Sequence, residues 1–266
     1  VVTGVQTCAL PISVIGNVVT ASPANDTIVP LIALDAELVL LSREGERIVS
    51  LKDFYTGVRK TVLKADELVR EIRFRKMAEN QRGTYLKMGL RKVQAISVVS
   101  MAMILTEGED GVEAAQITLG AVAPTIIHAR EAEEYLAGKQ LSDKVIEAAA
   151  DLGKDAAAPI DDVRSSAEYR KEISRVLVKR GLTRIRDQQE GENLPQEPVL
   201  LITEGKQPPD PALDGTPLVE GETPIITQIN GKKYTFHQGH QTTLLHLIRE
   251  HAGLTGSKPG CEEGEC

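Results

Sequence analysis

The sequence has no tryptophan, and its aromatic residues amount to only 3% of 266 positions. Leu, Ile, Val and Ala must therefore fill any core that forms. Cysteine is nearly as scarce, with Cys8, Cys261 and Cys266 the only three. A chain of this length buries enough apolar surface to stand without disulfide staples. With two of its three thiols close together, it reads as cytoplasmic metal chemistry rather than a secreted disulfide framework. No run of about 18 apolar residues occurs, so no membrane-spanning helix is expected. Positive charge is in deficit: 31 Lys and Arg face 38 Asp and Glu, a formal net charge of -7. Nucleic acids and anionic membranes need clustered cations, so neither is expected as a partner. No Ser/His/Asp constellation or paired acid/base site stands out, which leaves the chemistry to cofactors.

Residues 1–12, VVTGVQTCALPI, lack both the basic start of a signal peptide and the alternation of a strand. They resemble translated adapter sequence and are set aside, with Cys8, as a non-native scar. From 13 to 182 strand and helix signals alternate. Asp26 is placed to cap a short helix through Ile32 and Ala33. Positions 37–41 and 47–51 form a hairpin about a turn at 43–46, and 67–74 is a further strand. Strands are expected at 84–88, 95–105 and 114–122, then helices at 127–137, 143–152 and 166–180, ending at Gly138, Gly153 and Gly181. The pattern is that of a three-stranded antiparallel sheet backed by helices, an α+β arrangement. Residues 184–224 carry Pro195, Pro198, Pro208, Pro209, Pro211 and Pro217 and read as a linker. A compact unit follows at 225–266. Its signals are a strand at 225–229, the hairpin turn Asn230-Gly231, a return strand at 233–237, and a helix capped by Thr242 or Thr243 that Ala252-Gly253 ends.

The last loop runs Gly260-Cys261-Glu262-Glu263-Gly264-Glu265-Cys266. Two thiolates with four residues between them open the plant-type [2Fe–2S] spacing, although the pair alone is also compatible with two unremarked cysteines. A zinc site that adds His246 and His251 is the rival reading. Those histidines are five apart on a helix and point about 140° apart at about 100° per residue, so one ion could hardly take both. Near the other end, residues 13–26 form a stretch of small and polar residues, SVIGNVVTASPAND. Such a loop presents N–H groups and hydroxyls to an anion, as a phosphate cradle does, or is only a loop.

The stretch 13–26 resembles the second flavin loop of the FAD subunit in the xanthine dehydrogenase family of molybdenum hydroxylases. The family pattern there is close to T-I-G-G-N, then T-A-S-P and an Asp. Ile15 stands where the family has the first of two glycines, and a β-branched residue resists positive φ, so a distorted loop is expected. The likeness continues along DTIVPLIALDAELVLLSREGERIVSLKDFYTGVRKTVLKADELVREIRF, and 83–182 is similar to the C-terminal domain of the same subunit. The string LIREHAGLTGSKPGCEEGEC resembles the family's small iron–sulfur subunit.

The resemblance implies four parts. They are the second part of an FAD-binding domain of the PCMH type at 13–80, a flavoprotein C-terminal domain at 81–183, the linker at 184–224, and the N-terminal part of a β-grasp ferredoxin-like domain at 225–266. It implies FAD contacts by Ser13, Gly16, Asn17, Thr20 and Asp26, by Val69 through its backbone, and by Lys87 at the isoalloxazine edge. Read without the family, Lys87 is equally a solvated strand-end lysine. Cys261 and Cys266 become ligands of a [2Fe–2S] cluster whose other ligands lie beyond Cys266. Arg91, Arg164, Tyr169 and Arg170 become structural ion-pair or hydrogen-bond residues. The chain is then a fragment at both ends, because the family's first flavin subdomain should precede Ser13. The implied function is electron transfer from [2Fe–2S] to FAD and on to an acceptor such as NAD or a quinone, in partnership with a molybdopterin-binding large subunit. The alternative is a non-catalytic assembly or binding protein that keeps the folds without cofactors.

Overall fold

A computed structural model describes residues 14–91, 95–192, 223–240 and 242–257. The chain divides into two compact units, Val1–Leu194 and Pro195–Cys266. Ser13, most of the expected linker, Cys261 and Cys266 lie outside the described residues.

The first unit opens with a correction. The stretch expected as an open loop begins with helix α1 (Val14–Val19), which buries Gly16 and Val18. With one glycine instead of two, and valine and isoleucine around it, the segment lacks the freedom for a left-handed phosphate loop and coils instead. The positive φ falls later, at Ala21 (52°). Helix α2 (Ile28–Ala33) follows, with five of its six residues buried. Its N-cap position is held by Thr27, without a side-chain capping bond. Asp26 is therefore not the expected cap, because its carboxylate is engaged elsewhere.

Strand β1 (Glu37–Ser42) lies at the centre of a three-stranded antiparallel sheet. Its neighbours are β2 (Gly45–Ser50) and β5 (Leu68–Arg73). The β1–β2 turn is tight, because Ser42 pairs with Gly45 and Gly45 takes φ 131°. Between β2 and β5 run the short helix α3 (Leu51–Phe54) and a ribbon of β3 (Tyr55–Gly57) and β4 (Lys60–Thr61). Val18, Ile28, Ile32, Leu38, Leu40, Leu51 and Phe54 form one core, made as expected almost wholly of aliphatic residues.

The second sheet has four strands rather than three, in the order β6 (Gln81–Gly89), β7 (Ser97–Gly108), β8 (Gly111–Gly120) and β9 (Ile127–His128), all antiparallel. The fourth strand comes from the start of the segment expected as a helix. Ile127 and His128 pair with Leu119 and Thr118, which delays helix α4 (Arg130–Leu136) by one turn. Helix α5 (Asp143–Ala156) is capped by Ser142, whose hydroxyl accepts from Val145 N, and α6 (Ala167–Arg186) is capped in the same way by Ser166.

Gly153 and Gly181 do not end these helices, as their sequence positions suggest, but lie inside them. A Cβ on Gly153 would come within 2.9 Å of Val178 Cγ2, and one on Gly181 within 2.6 Å of Met101 Cε. These glycines serve close approach between α5, α6 and the sheet. Residues 184–186, expected to open the linker, are the last turn of α6, and Ile185 is buried in its core.

Strand β7 is buried on both faces, as period-two geometry requires of a strand between two layers. Met101, Met103 and Leu105 face the core shared with Ile146, Ala150, Leu177, Val178 and Leu182. Ala102 and Ile104 face the other way and pack with Val29 and Ala33 of α2. This second contact joins the two halves of the unit.

The second unit contains the hairpin β10 (Ile225–Ile229) and β11 (Lys232–Phe236). Its turn residues Asn230 and Gly231 have φ of 51° and 78°, the left-handed pair that a two-residue hairpin needs. Thr243 is the cap, accepting from His246 N at the start of α7 (Leu244–His246), which continues as a π turn over Leu247–His251. The His251 ring lies edge-on to Phe236 at 6.5 Å.

Candidate functional site

The expected cofactor residues on α1 bond largely within their own segment. Thr20 Oγ1 donates to Gly16 O at 2.7 Å. Asn17 is a hub: its carbonyl accepts from Asn25 Nδ2 at 2.6 Å, and its Oδ1 accepts from Thr27 N at 3.3 Å and from the Thr27 hydroxyl. The tie from Asn17 folds residues 20–27 back over α1. Tyr55 adds a brace, its hydroxyl donating to Val18 O at 3.1 Å. Burial raises the Tyr55 phenol pKa, so it stays a donor.

Val69 lies on β5 opposite Leu40, and α1 packs on that strand. The register there is pinned by Arg47, which donates to Glu67 through Nε at 2.6 Å and Nη2 at 2.8 Å and to Val62 O at 3.0 Å. Hydrogen bonding from Arg47 is the largest influence on the Glu67 carboxyl and holds it at about 2.

The structure brings Asp26 and Lys87 together. Lys87 Nζ lies 2.5 Å from Asp26 Oδ2. Asp26 Oδ1 accepts from Ser97 Oγ at 2.6 Å and from the Tyr85 hydroxyl at 3.1 Å. Tyr85 and Lys87 are two apart on β6 and so share a face. The Tyr85 phenol pKa is raised, by burial first and by the Asp26 charge second, which keeps the phenol protonated as a donor. Alternation along 84–88 would have placed Tyr85 beside Lys87, but nothing local pointed to Ser97 or to Asp26 as their common partner.

Arg164 and Arg170 meet at the carboxylate of Asp162, which no local motif marks. Asp162 accepts from Arg164 N at 2.8 Å, from Arg164 Nη2 at 2.6 Å and from Arg170 Nη2. Tyr169, expected to bond structurally, is half exposed and is engaged through its backbone N–H, which donates to Ser166 Oγ. The expected metal ligands Cys261 and Cys266 and the expected flavin residue Ser13 lie outside the described residues. Among the described residues no cluster of three or more His, Cys, Asp or Glu could hold a metal ion. No described helix is long and apolar enough to cross a membrane.

Residues 11–75 match the FAD binding domain in molybdopterin dehydrogenase, and residues 84–185 match the CO dehydrogenase flavoprotein C-terminal domain. The chain belongs to the FAD-binding, or medium, subunit family of the xanthine and carbon monoxide dehydrogenases. The nicotinate dehydrogenase FAD-subunit of Eubacterium barkeri is 32% identical over 180 residues, covering 66% of this chain and 61% of the relative. Xanthine dehydrogenase/oxidase of Gallus gallus is 31% identical over 140 residues, 52% of this chain and 10% of that larger protein. The reconstituted CO dehydrogenase from Oligotropha carboxidovorans superposes with a TM-score of 0.62 at 30% identity, over 66% of this chain and 61% of the solved one. The chain thus spans about three-fifths of the subunit-sized relatives it matches.

The residues of this medium-subunit chain fit an FAD chemically. Asp26 is a half-exposed carboxylate suited to accept from sugar or ribityl hydroxyls, and Lys87 is a cation suited to an electron-rich ring edge.

Proposed function

We propose that this chain is the electron-handling flavoprotein portion of a molybdenum-containing hydroxylase or dehydrogenase. In this reading FAD is held by Ser13, Gly16, Asn17, Thr20, Asp26, Val69 and Lys87, and Cys261 and Cys266 are the first ligands of a [2Fe–2S] cluster. The boundaries 13–80 and 81–183 are the two flavoprotein domains, and 225–266 begins a ferredoxin-like domain. The described hairpin followed by a capped helix agrees with the opening of such a domain. The partners are a molybdopterin-binding large subunit and an acceptor such as NAD or a quinone. The compartment is the cytoplasm, where thiols stay reduced.

The observation that carries the reading is the Asp26–Lys87 contact. It joins a residue from the FAD-domain match to one from the flavoprotein C-terminal match. Bound FAD would supply reversible electron transfer that no side chain of this protein offers. The protein's own part is positional. Lys87 holds positive charge beside Asp26, Tyr85 and Ser97 fix the Asp26 carboxylate as an acceptor, and Asn17 keeps the intervening segment folded. A cation at Lys87 favours the reduced, more negative ring and so raises its potential.

The test is the visible absorption spectrum and iron content of the full-length gene product. Flavin bands together with broad iron–sulfur absorption support the relay. Flavin without iron removes the cluster from the assignment, and a folded, colourless protein leaves the assembly-protein reading.

A further inference from the structure

Asp162, Arg164 and Arg170 complete a closed circuit of polar contacts around the segment that holds Asp26. Arg170 is 2% exposed and lies on α6. Its Nη2 donates to Asp162 Oδ1, and its Nη1 donates to Ala121 O at 3.2 Å. Ala121 N in turn donates to Pro23 O at 2.7 Å. On the other side, Arg164 Nη1 donates to Ser97 O at 3.3 Å, and Ser97 Oγ reaches Asp26. Pro23 and Asp26 are therefore gripped from two directions by groups that converge on one carboxylate.

Three observations separate this circuit from an ordinary stabilising ion pair. Arg170 is buried while Asp162 is partly exposed, and for a pair that takes a cation out of water desolvation opposes the attraction, so the contact is weak ground for stability. Arg170 Nε is buried without a partner, so the guanidinium is not optimally satisfied where it stands. Ala121, the residue it grips, has φ 64°, a left-handed conformation that a non-glycine residue keeps only when its surroundings hold it. The arrangement gives up local comfort to hold Ala121 and Ser97 in place.

We infer that Asp162 is a positioning residue for the flavin segment, acting through Arg170–Ala121 on Pro23 and through Arg164–Ser97 on Asp26. It rests on the proposed flavin reading for its consequence, but the clamp itself concerns only this chain's residues. Asp162 touches no cofactor. It fixes the carboxylate that pairs with Lys87, and with it the place where the two would meet a bound FAD, Asp26 at its hydroxyls and Lys87 at its ring edge.

The test uses the full-length protein and two readouts, FAD titration followed by flavin fluorescence and hydrogen–deuterium exchange of residues 20–30 without added FAD. Removing Asp162 alone strands the buried Arg170, so the double variant Asp162→Asn/Arg170→Met, which removes the charge pair at similar volume, is used with Arg164→Gln. Glu147→Gln, which removes a carboxylate paired with Arg175 and Lys179 of α6 outside the clamp, is the control for loss of an ion pair on that helix. The clamp predicts faster exchange at 22–27 in both clamp variants, unchanged exchange in α5 and β7, and FAD binding weakened at least tenfold with an altered visible circular dichroism of the bound flavin. Wild-type exchange at 22–27 in both variants overturns the clamp. If exchange rises while the variants keep wild-type affinity and flavin dichroism, the segment is clamped but the positioning role is overturned. If the wild-type protein takes up no FAD while exchange rises in the variants, the clamp stands and the flavin reading fails.

Discussion

Lys87 and Asp26, 61 positions apart in the chain, share an ion pair of 2.5 Å that ties β6 to the segment before α2. Neither residue is buried deeply enough for this pair to matter much to stability, since exposed pairs contribute about 0–1 kcal/mol. Its weight in the proposed reading is in holding FAD. Lys87→Met leaves the fold intact and weakens FAD binding about tenfold, the loss of one charge-assisted hydrogen bond. It also lowers the bound flavin's potential by about 30 mV or more, the equivalent of about 1.4 kcal/mol for a two-electron couple. A spectroelectrochemical titration beside a binding titration checks both.

Acid stability should report the Arg47–Glu67 pair. The Glu67 carboxyl sits at about 2 in the folded protein, below its ordinary 4.5, chiefly through the Arg47 hydrogen bonds. A folded value below the unfolded one gives stabilisation that is full above about pH 4.5 and is lost as the pH falls towards 2. Glu67→Gln should therefore lower the melting temperature at pH 7, and the gap to wild type should shrink between pH 4.5 and 2. Thermal melts across that range decide it. A gap that does not change with pH would show that the carboxylate charge is not what Arg47 holds.

Gly120 marks a close approach between the two halves of the first unit. A Cβ there would lie 2.6 Å from Val29 Cγ2 and 2.5 Å from Ser100 Oγ. Val29 is fully buried and β-branched, so it has little room to turn away. Gly120→Ala is expected to cost about 1–3 kcal/mol by overpacking, read from denaturant unfolding. Because Ala121 is next in the chain, the same variant should also raise hydrogen exchange at 22–27.

The cysteine prediction concerns the chain's far end. In the proposed reading the two cofactors use separate parts of the chain, so Cys261→Ser and Cys266→Ser should each remove the iron–sulfur absorption of the cluster they ligate while leaving bound flavin unchanged. Iron content by metal analysis, measured beside released FAD, checks the separation. An iron content unchanged by both substitutions would remove these thiols from the ligand set.

Much of the fold was legible from local pattern. The strands around β1, β6, β7 and β8, the cap at Thr243, and the Asn230-Gly231 turn all follow from short-range chemistry. Most of the failures come from partners far along the chain. Gly153 and Gly181 look like helix ends because a glycine's sequence context does not show what packs against it. Asp26 looks like a cap because its partners, Tyr85, Lys87 and Ser97, are far along the chain. The α1 region looked like a loop because Ser13, Gly16, Asn17, Thr20 and Ser22 make it small and polar, which hid the helical spacing of Val14, Ile15, Val18 and Val19. The site residues were named by resemblance to a family. That Asp26 meets Lys87, and that Asp162 stands behind both, required the tertiary structure.

The most direct test of the account is an FAD titration of the full-length gene product, wild type against Lys87→Met and Asp26→Asn. The account predicts saturable uptake of FAD by the wild-type protein, with both substitutions weakening it severalfold while the far-ultraviolet circular dichroism stays the same. A folded wild-type protein that neither retains nor takes up FAD, or equal uptake by all three, would contradict it.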